Sequence, residues 1–403
     1  MTILPDADWR RQPGLSALLD RLDAAGQMVR FVGGAVRDTL LGLPVKDVDC
    51  ATRHLPEDSR RRIEAAGFKA VATGIRHGTV TAVLPQGPVE ITTLRRDVAT
   101  DGRHAVVAFT DAWQEDAARR DFTINAMSAD PLSGEVFDYF GGIDDLAARK
   151  IRFIGDARTR IAEDHLRILR MFRFHARFGA GPPDQEALTA CIERANDLMA
   201  LSRERIADEL LKLLRCDSPA ASVALMFDSG IFRPIIPEID EAGVARLARL
   251  IERERVAGVA GDGVRRLGAL LPVDPLVAGA VARRLKLSRA AIRRLELAAS
   301  DQRDAPRALS YRLGHDVAQD LILRGDIADD AIAAQLALLD GWERPNMPLG
   351  GGKLIALGLN AGPQVAATLQ AIERRWVAED FPGKTRLDEI AAEEIDQALR
   401  AIR

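Results

Sequence analysis

Read for the spacing of apolar and polar positions, the chain changes character once. Up to about Ile154, short runs rich in β-branched and aromatic residues (VRFVG, DVDCAT, FKAVAT, GTVTAVL, VEITTL, EVFDYF and KIRFI) alternate with helical patterns. Such runs read as strands, and the PQGP between GTVTAVL and VEITTL is a turn signal that predicts an antiparallel hairpin. This mixture predicts an α+β fold for the N-terminal part. From ARTRIAEDHLRILRMFRFHARF onward apolar residues recur at helical spacing and β-rich runs almost vanish, so the remainder reads as all-α.

Breaker clusters divide the helical part: AGPPD from Ala180 to Asp184, DSPA from Asp217 to Ala220, and NMPLGGGK from Asn346 to Lys353. The expected organisation is a helical leader over 1–27, a mixed-sheet head over 28–155, a helical neck over 156–216, a helical body over 217–345 and a helical tail over 346–403. The segment from Asp97 to Asp111 carries charges and little periodicity, and is expected to be a mobile loop beside whatever the sheet binds. There is no fixed-period repeat.

Composition changes this picture little. A chain of 403 residues exceeds one core, and 47% hydrophobic with 29% charged residues is ordinary for a soluble protein. A formal net charge of −3 argues against nucleic-acid binding through bulk charge. Arginine pairs such as Arg95–Arg96, Arg265–Arg266 and Arg293–Arg294 read first as solvated helix faces. Cys50, Cys191 and Cys216 are odd in number and lack metal or redox spacing, which points to reduced core residues. With no apolar run of membrane-spanning length and no basic-then-apolar leader, the expected address is cytoplasmic, with no membrane and no obligate protein partner.

Chemistry concentrates in FVGGAVRDTLLGLPVKDVDCAT, Phe31 to Thr52. Gly33 and Gly34 let backbone amides approach a ligand, and a helix beginning there turns its positive end toward an anion. Asp47 and Asp49, two apart on a strand, present their carboxylates on one face. Adjacent carboxylates repel unless a cation lies between them, and hard oxygen ligands favour magnesium, which takes its remaining ligands from water and phosphate. A triphosphate held by the glycine turn and bridged to the aspartates by Mg2+ reconciles the two halves.

These residues resemble the signature of the polymerase-β-like nucleotidyltransferases, in the branch of class II tRNA nucleotidyltransferases (CCA-adding enzymes) and bacterial poly(A) polymerases. ARRDFTINAMSAD (Ala118 to Asp130) is similar to the family's ribose-selecting segment, VFDYFGGIDDL (Val136 to Leu146) to its connector and EDHLRILRMFRF (Glu163 to Phe174) to its base-reading helix. SRERIADELLKLL (Ser202 to Leu214) is similar to the last motif, a structural brace. The resemblance implies a two-metal displacement in which the 3′-hydroxyl of an RNA attacks a nucleotide. Asp47 and Asp49 then hold the metals, and Glu90 on a neighbouring strand is a third acidic residue, a candidate general base.

In the same reading Arg37 joins the nucleotide site, Arg120 rather than Arg119 contacts phosphate, and Asp121 with Asn125 serves the ribose hydroxyl. Asp164 and Arg167, three apart, share a helix face. An aspartate that accepts from an exocyclic amine beside an arginine that donates to a ring nitrogen suits cytosine and adenine alike. Uracil and guanine reverse that order and would leave buried polar groups unpaired, at roughly 1–3 kcal/mol each. Arg170, Arg173 and Arg177 continue the face of Arg167 and are expected at triphosphate or RNA backbone, whereas Leu166, Leu169 and Phe172 read as core.

Two weaker signals are set aside: GGGK at Gly350 to Lys353 fails the P-loop pattern, and His315–Asp316 has no further histidines near it in sequence. The expected activity is template-independent addition of the 3′-terminal CCA of tRNA from CTP and ATP. The alternatives are poly(A) polymerase, a CC-only or A-only enzyme, a non-catalytic RNA binder, and transfer to a small molecule.

Overall fold

The computed structural model describes residues 1–75, 78–100 and 105–400. The chain separates into two compact units, 1–237 and 238–403. Among the described residues of the first there are nine short strands: β1 Val29–Val32, β2 Val48–Thr52, β3 Lys69–Gly74, β4 Thr79–Leu84, β5 Gly87–Thr93, β6 Arg95–Thr100, β7 Ala105–Phe109, β8 Ser128–Ala129 and β9 Val136–Phe137. Seven form one mixed sheet in the order β3-β4-β5-β2-β1-β8-β9, in which β2 and β5 run parallel and the other neighbours antiparallel. The expected hairpin is β4–β5, closed at Leu84 opposite Gly87.

Two strand expectations are corrected. KIRFI forms no strand, only an isolated bridge between Phe153 and Phe122, and EVFDYF contributes just the two residues of β9. KIRFI is rich in β-formers, but its Phe153 is spent on packing against Phe122, with ring centroids 4.9 Å apart. The segment expected as a loop from Asp97 to Asp111 holds part of the antiparallel β6–β7 pair, with Arg95 opposite Phe109, while residues 101–104 lie outside the described residues. Its alternation was too interrupted by charge to read as strand.

Helices complete the first unit. The helix Arg167–Phe178 buries Ile168, Leu169, Met171, Phe172 and Phe174, and Phe174 lies against Phe122, 5.1 Å between centroids. In the second unit the regular elements among the described residues are all helices, from Glu241–Val256 to Lys384–Arg400. One of its cores gathers Tyr311, Trp376, Leu387 and Ile390 with Trp342 and Phe381 against them, so the segment after the glycine cluster is packed, not appended. No helix among the described residues is long and apolar enough to cross a membrane.

Candidate active site

The turn between β1 and the helix Gly34–Leu40 is built on Gly33, whose φ of 64° and ψ of −121° suit glycine alone. A Cβ there would also come within 3.0 Å of Arg120 Nη1, so the guanidinium lies directly against the turn. β2 begins just beyond Asp47, which is exposed, and the parallel ladder sets Asp49 beside Glu90. Side chains at paired positions share a face. Burial, then the charge of Glu90, pushes the Asp49 carboxyl up to about 6, Asp47 adding and Arg120 opposing.

A carboxylate raised in this way lacks positive charge. Among the described residues no three His, Cys, Asp or Glu side chains are grouped to hold a metal by themselves. The oxygen donors of Asp47 and Asp49 nevertheless suit a hard divalent cation that completes its shell with phosphate and water.

Behind the turn, a polar chain links the helix Gly34–Leu40 to the helix Arg167–Phe178 within the first unit. Arg177 Nη2 donates to Asp38 at 3.4 Å, and Arg37 Nε donates to the other oxygen of Asp38 at 2.8 Å. Arg37 Nη1 donates to Asn125 Oδ1, and Asn125 Nδ2 donates to Asp121 Oδ1 at 2.9 Å. Arg170 Nε then donates to Asp121 Oδ2 at 2.7 Å. Asp121 is buried, which by itself would raise its carboxyl, but Arg170, Asn125 and the Phe122 N–H outweigh burial and hold it below the usual carboxylate range. Four donors therefore already converge on Asp121.

The helix expected to run through EDHLRILRMFRF is interrupted. Ala157–Glu163 ends at Asp164, which is extended at φ −152° and ψ 105° and whose side chain accepts from the Leu166 N–H at 3.1 Å; a new helix starts at Arg167. Aspartate offers its own backbone this alternative to a helical bond, which stops the first helix. Asp164 and Arg167 do not lie on one helix face, yet the tight turn between them brings both to one cleft.

In that cleft Arg167 donates to the carbonyls of Arg160 (2.8 Å) and Arg119 (3.0 Å) and to Glu163. Asp164 is held through both oxygens by Arg205 Nη2, at 3.0 and 2.8 Å. Arg205 lies on the helix Arg203–Leu214, in the motif read from sequence as a brace. Nothing local in the sequence links it to Asp164, 41 positions earlier; the pairing is tertiary.

The cleft encloses about 410 Å3. Gly33, Gly34, Arg37, Asp49, Arg120, Asp121 and Asn125 line it from the segments up to position 125, and Asp164, Arg167, Arg170 and Arg205 from the later helical segments. Leu166, expected as core only, and Arg119 also reach it. Asp47, Glu90 and Arg173 are not in its lining. Asp47 and Glu90 flank Asp49, whereas Arg173 turns to the buried Glu209 and ties two helices together. Arg177 likewise goes to Asp38, not to the cleft.

Residues 29–152 match the family model described as "Poly A polymerase head domain", and residues 183–242 the one described as "Probable RNA and SrmB- binding site of polymerase A". The mouse (Mus musculus) protein named CCA tRNA nucleotidyltransferase 1, mitochondrial, is 35% identical over 378 residues, covering 90% of this chain and 86% of its own. The chain belongs to the CCA tRNA nucleotidyltransferase family. A CCA-adding enzyme of Latilactobacillus sakei is 31% identical over 397 residues, covering 91% of this chain and 94% of its own. The crystal structure of the Bacillus stearothermophilus CCA-adding enzyme in complex with CTP superposes with a TM-score of 0.71 at 26% identity, covering 96% of this chain and all of that one. Family membership fits a cleft that joins a glycine turn, a strand carboxylate and a paired aspartate and arginine.

Proposed function

We propose that this chain adds or repairs the 3′-terminal CCA of tRNA from CTP and ATP, the RNA 3′-hydroxyl attacking the nucleotide α-phosphate and pyrophosphate leaving. The carrying observation is the single cleft in which Gly33, Asp49 and Arg120 meet Asp164, Arg167 and Arg170. Arg120, tethered by Asp116, and the amides after Gly33 hold the triphosphate. Arg170, fixed by Asp121, adds positive charge on the opposite wall. Asp47 and Asp49 hold magnesium, which when bound supplies the Lewis acidity that activates the hydroxyl and neutralises the departing charge. Glu90 stands next to Asp49 as the third acidic residue.

Asp164, oriented by Arg205, accepts from the exocyclic amine of cytosine or adenine, and Arg167 donates to the ring nitrogen. Asp121 and Asn125 take the ribose side of the nucleotide, with Arg37 locking Asn125. Residues 28–155 act as the head and 156–216 as the neck; the helical stretches 217–345 and 346–403 hold the RNA. A cytoplasmic address belongs to the same proposal and is supported by cysteines that lack metal or redox spacing, two of which, Cys50 and Cys191, are buried.

The poly(A) polymerase description of the matched head model favours one second reading, untemplated adenylation. Incubation with Mg2+, labelled CTP or ATP, and tRNAs lacking one, two or three terminal nucleotides separates the two. Addition that stops at CCA is expected. Long adenosine tails on unrelated RNA would replace the first reading with the second.

A further inference from the structure

The second unit treats its arginines in two opposite ways. In one cluster charge is cancelled: Arg265 pairs with Glu254 and Asp320, Arg266 with Glu254, and Arg294 with Asp320. In the other, between the helices Glu241–Val256 and His315–Arg324 and the stretch 298–303, guanidiniums are fixed mainly by backbone carbonyls, which orient a cation without neutralising it. Arg246 donates to the carbonyls of Ala269 (3.1 Å) and Leu271 (2.8 Å), and approaches a carboxylate, that of Asp240, only at 3.8 Å. Arg253 donates to the carbonyls of Leu323, Gly325 and Ile327 at 2.7–3.0 Å, as well as to Asp329.

Arg324 donates to the Ala298 carbonyl at 3.2 Å and makes no ion pair among the described residues. Arg249 is exposed with no hydrogen bond or ion pair there. With Arg303, which pairs with Asp301 at 3.2 Å, these five guanidiniums line a cavity of about 240 Å3, and among its described lining residues Asp301 and Asp326 carry the negative charge. Burial, opposed by Asp320 and reinforced by Arg246, makes the charged form of Arg324 harder to hold.

We propose that this cavity is a phosphate site, distinct from the catalytic cleft. A hollow of this size ringed by five guanidiniums fits a tetrahedral oxyanion, and those of Arg246, Arg253 and Arg324, already anchored by carbonyls, lose little freedom on binding it. The oxyanion has two sources, a backbone phosphate of the RNA substrate or free phosphate or pyrophosphate. The first rests on the RNA reading proposed above.

The double variant Arg249→Ala/Arg303→Ala tests the site without removing an anchoring contact to the backbone. With full-length protein, KM for tRNA lacking its terminal nucleotide is expected to rise about 10-fold with kcat little changed. The slope of log affinity for tRNA against log salt should fall by about 1–2, the change expected for one or two lost phosphate contacts. In a second arm, the melting temperatures of wild type and variant are measured with sodium phosphate or pyrophosphate against chloride at equal ionic strength. A phosphate-specific rise in the wild type that the variant loses, with KM for tRNA unchanged, assigns the site to the free anion. Unchanged KM and salt slope together with no phosphate-specific rise would overturn the proposal. Should the wild type add nothing to tRNA, the RNA reading fails by itself, and direct tRNA binding with the melting arm still decides the cavity.

Discussion

At the scale of single residues, Asp49 carries the sharpest consequence of the geometry. Its carboxyl is pushed to about 6 by burial and by Glu90, against an ordinary value of 3.8. Because folding raises this value, the native state binds the proton more tightly, so the stabilising contribution is complete below about pH 4 and is lost as pH rises through 6. Above that pH the metal-free protein holds an ionised Asp49 at a cost of about 2 kcal/mol, after allowance for partial exposure. Asp49→Asn removes this cost. The metal-free variant is expected to melt about 5 °C above wild type at pH 8 and close to it at pH 4, while transfer falls by a factor on the order of 10^3 or more. Equal melting temperatures at pH 8 would mean that Asp49 is not short of positive charge. Both carboxylates were expected from DVD on a strand, yet β2 begins at Val48 and leaves Asp47 just before it. The raised carboxyl of Asp49 was not legible, since it depends on burial in the folded sheet and on Glu90 arriving from a strand about 40 positions away.

At the scale of elements, the site is built where regular structure stops: the turn at Gly33 and the break between the helices Ala157–Glu163 and Arg167–Phe178. The first was readable only because the glycine pair stands close before DVD; alone, such a pair is usually just a turn. The second was misread as continuous helix, since apolar spacing persists across it and only the Asp164 side chain marks the interruption. Likewise the arginine stripe 167, 170, 173 and 177 was read correctly as a periodicity but not as a set of destinations. Arg170 meets Asp121, Arg173 meets Glu209 and Arg177 meets Asp38, each partner lying on a different segment. Arg205 follows from the same limit. Its pair with Asp164 is about one-third exposed and contributes no more than about 1 kcal/mol to stability, so its role is orientation. Arg205→Ala is expected to lower the ratio of kcat/KM for CTP over UTP about 10-fold, through a misaligned acceptor, with little loss of melting temperature. Unchanged selectivity with a marked loss of stability would reduce Arg205 to the brace that its motif first suggested.

At the scale of the whole molecule, the proposed nucleotide site belongs to the first compact unit alone, because every residue lining the cleft lies before position 237. A ligand that binds only the folded form stabilises it by about 2.7 kcal/mol at a hundred times its dissociation constant. For a unit of some 240 residues, 1 kcal/mol moves the melting temperature by about 2–4 °C, so CTP with Mg2+ should raise the transition of the unit 1–237 by about 5–10 °C. The second unit has its own core around Trp376 and Leu387, so its transition is expected to stay in place. Scanning calorimetry of the full chain with and without CTP and Mg2+ reads both at once. Separate transitions of which only one moves assign the nucleotide to the first unit. A single transition that moves as a whole would mean that the two units unfold together, and that binding energy gained in the cleft stabilises all 403 residues. In that case the coupling itself gives RNA bound by the second unit a thermodynamic route to the nucleotide in the first.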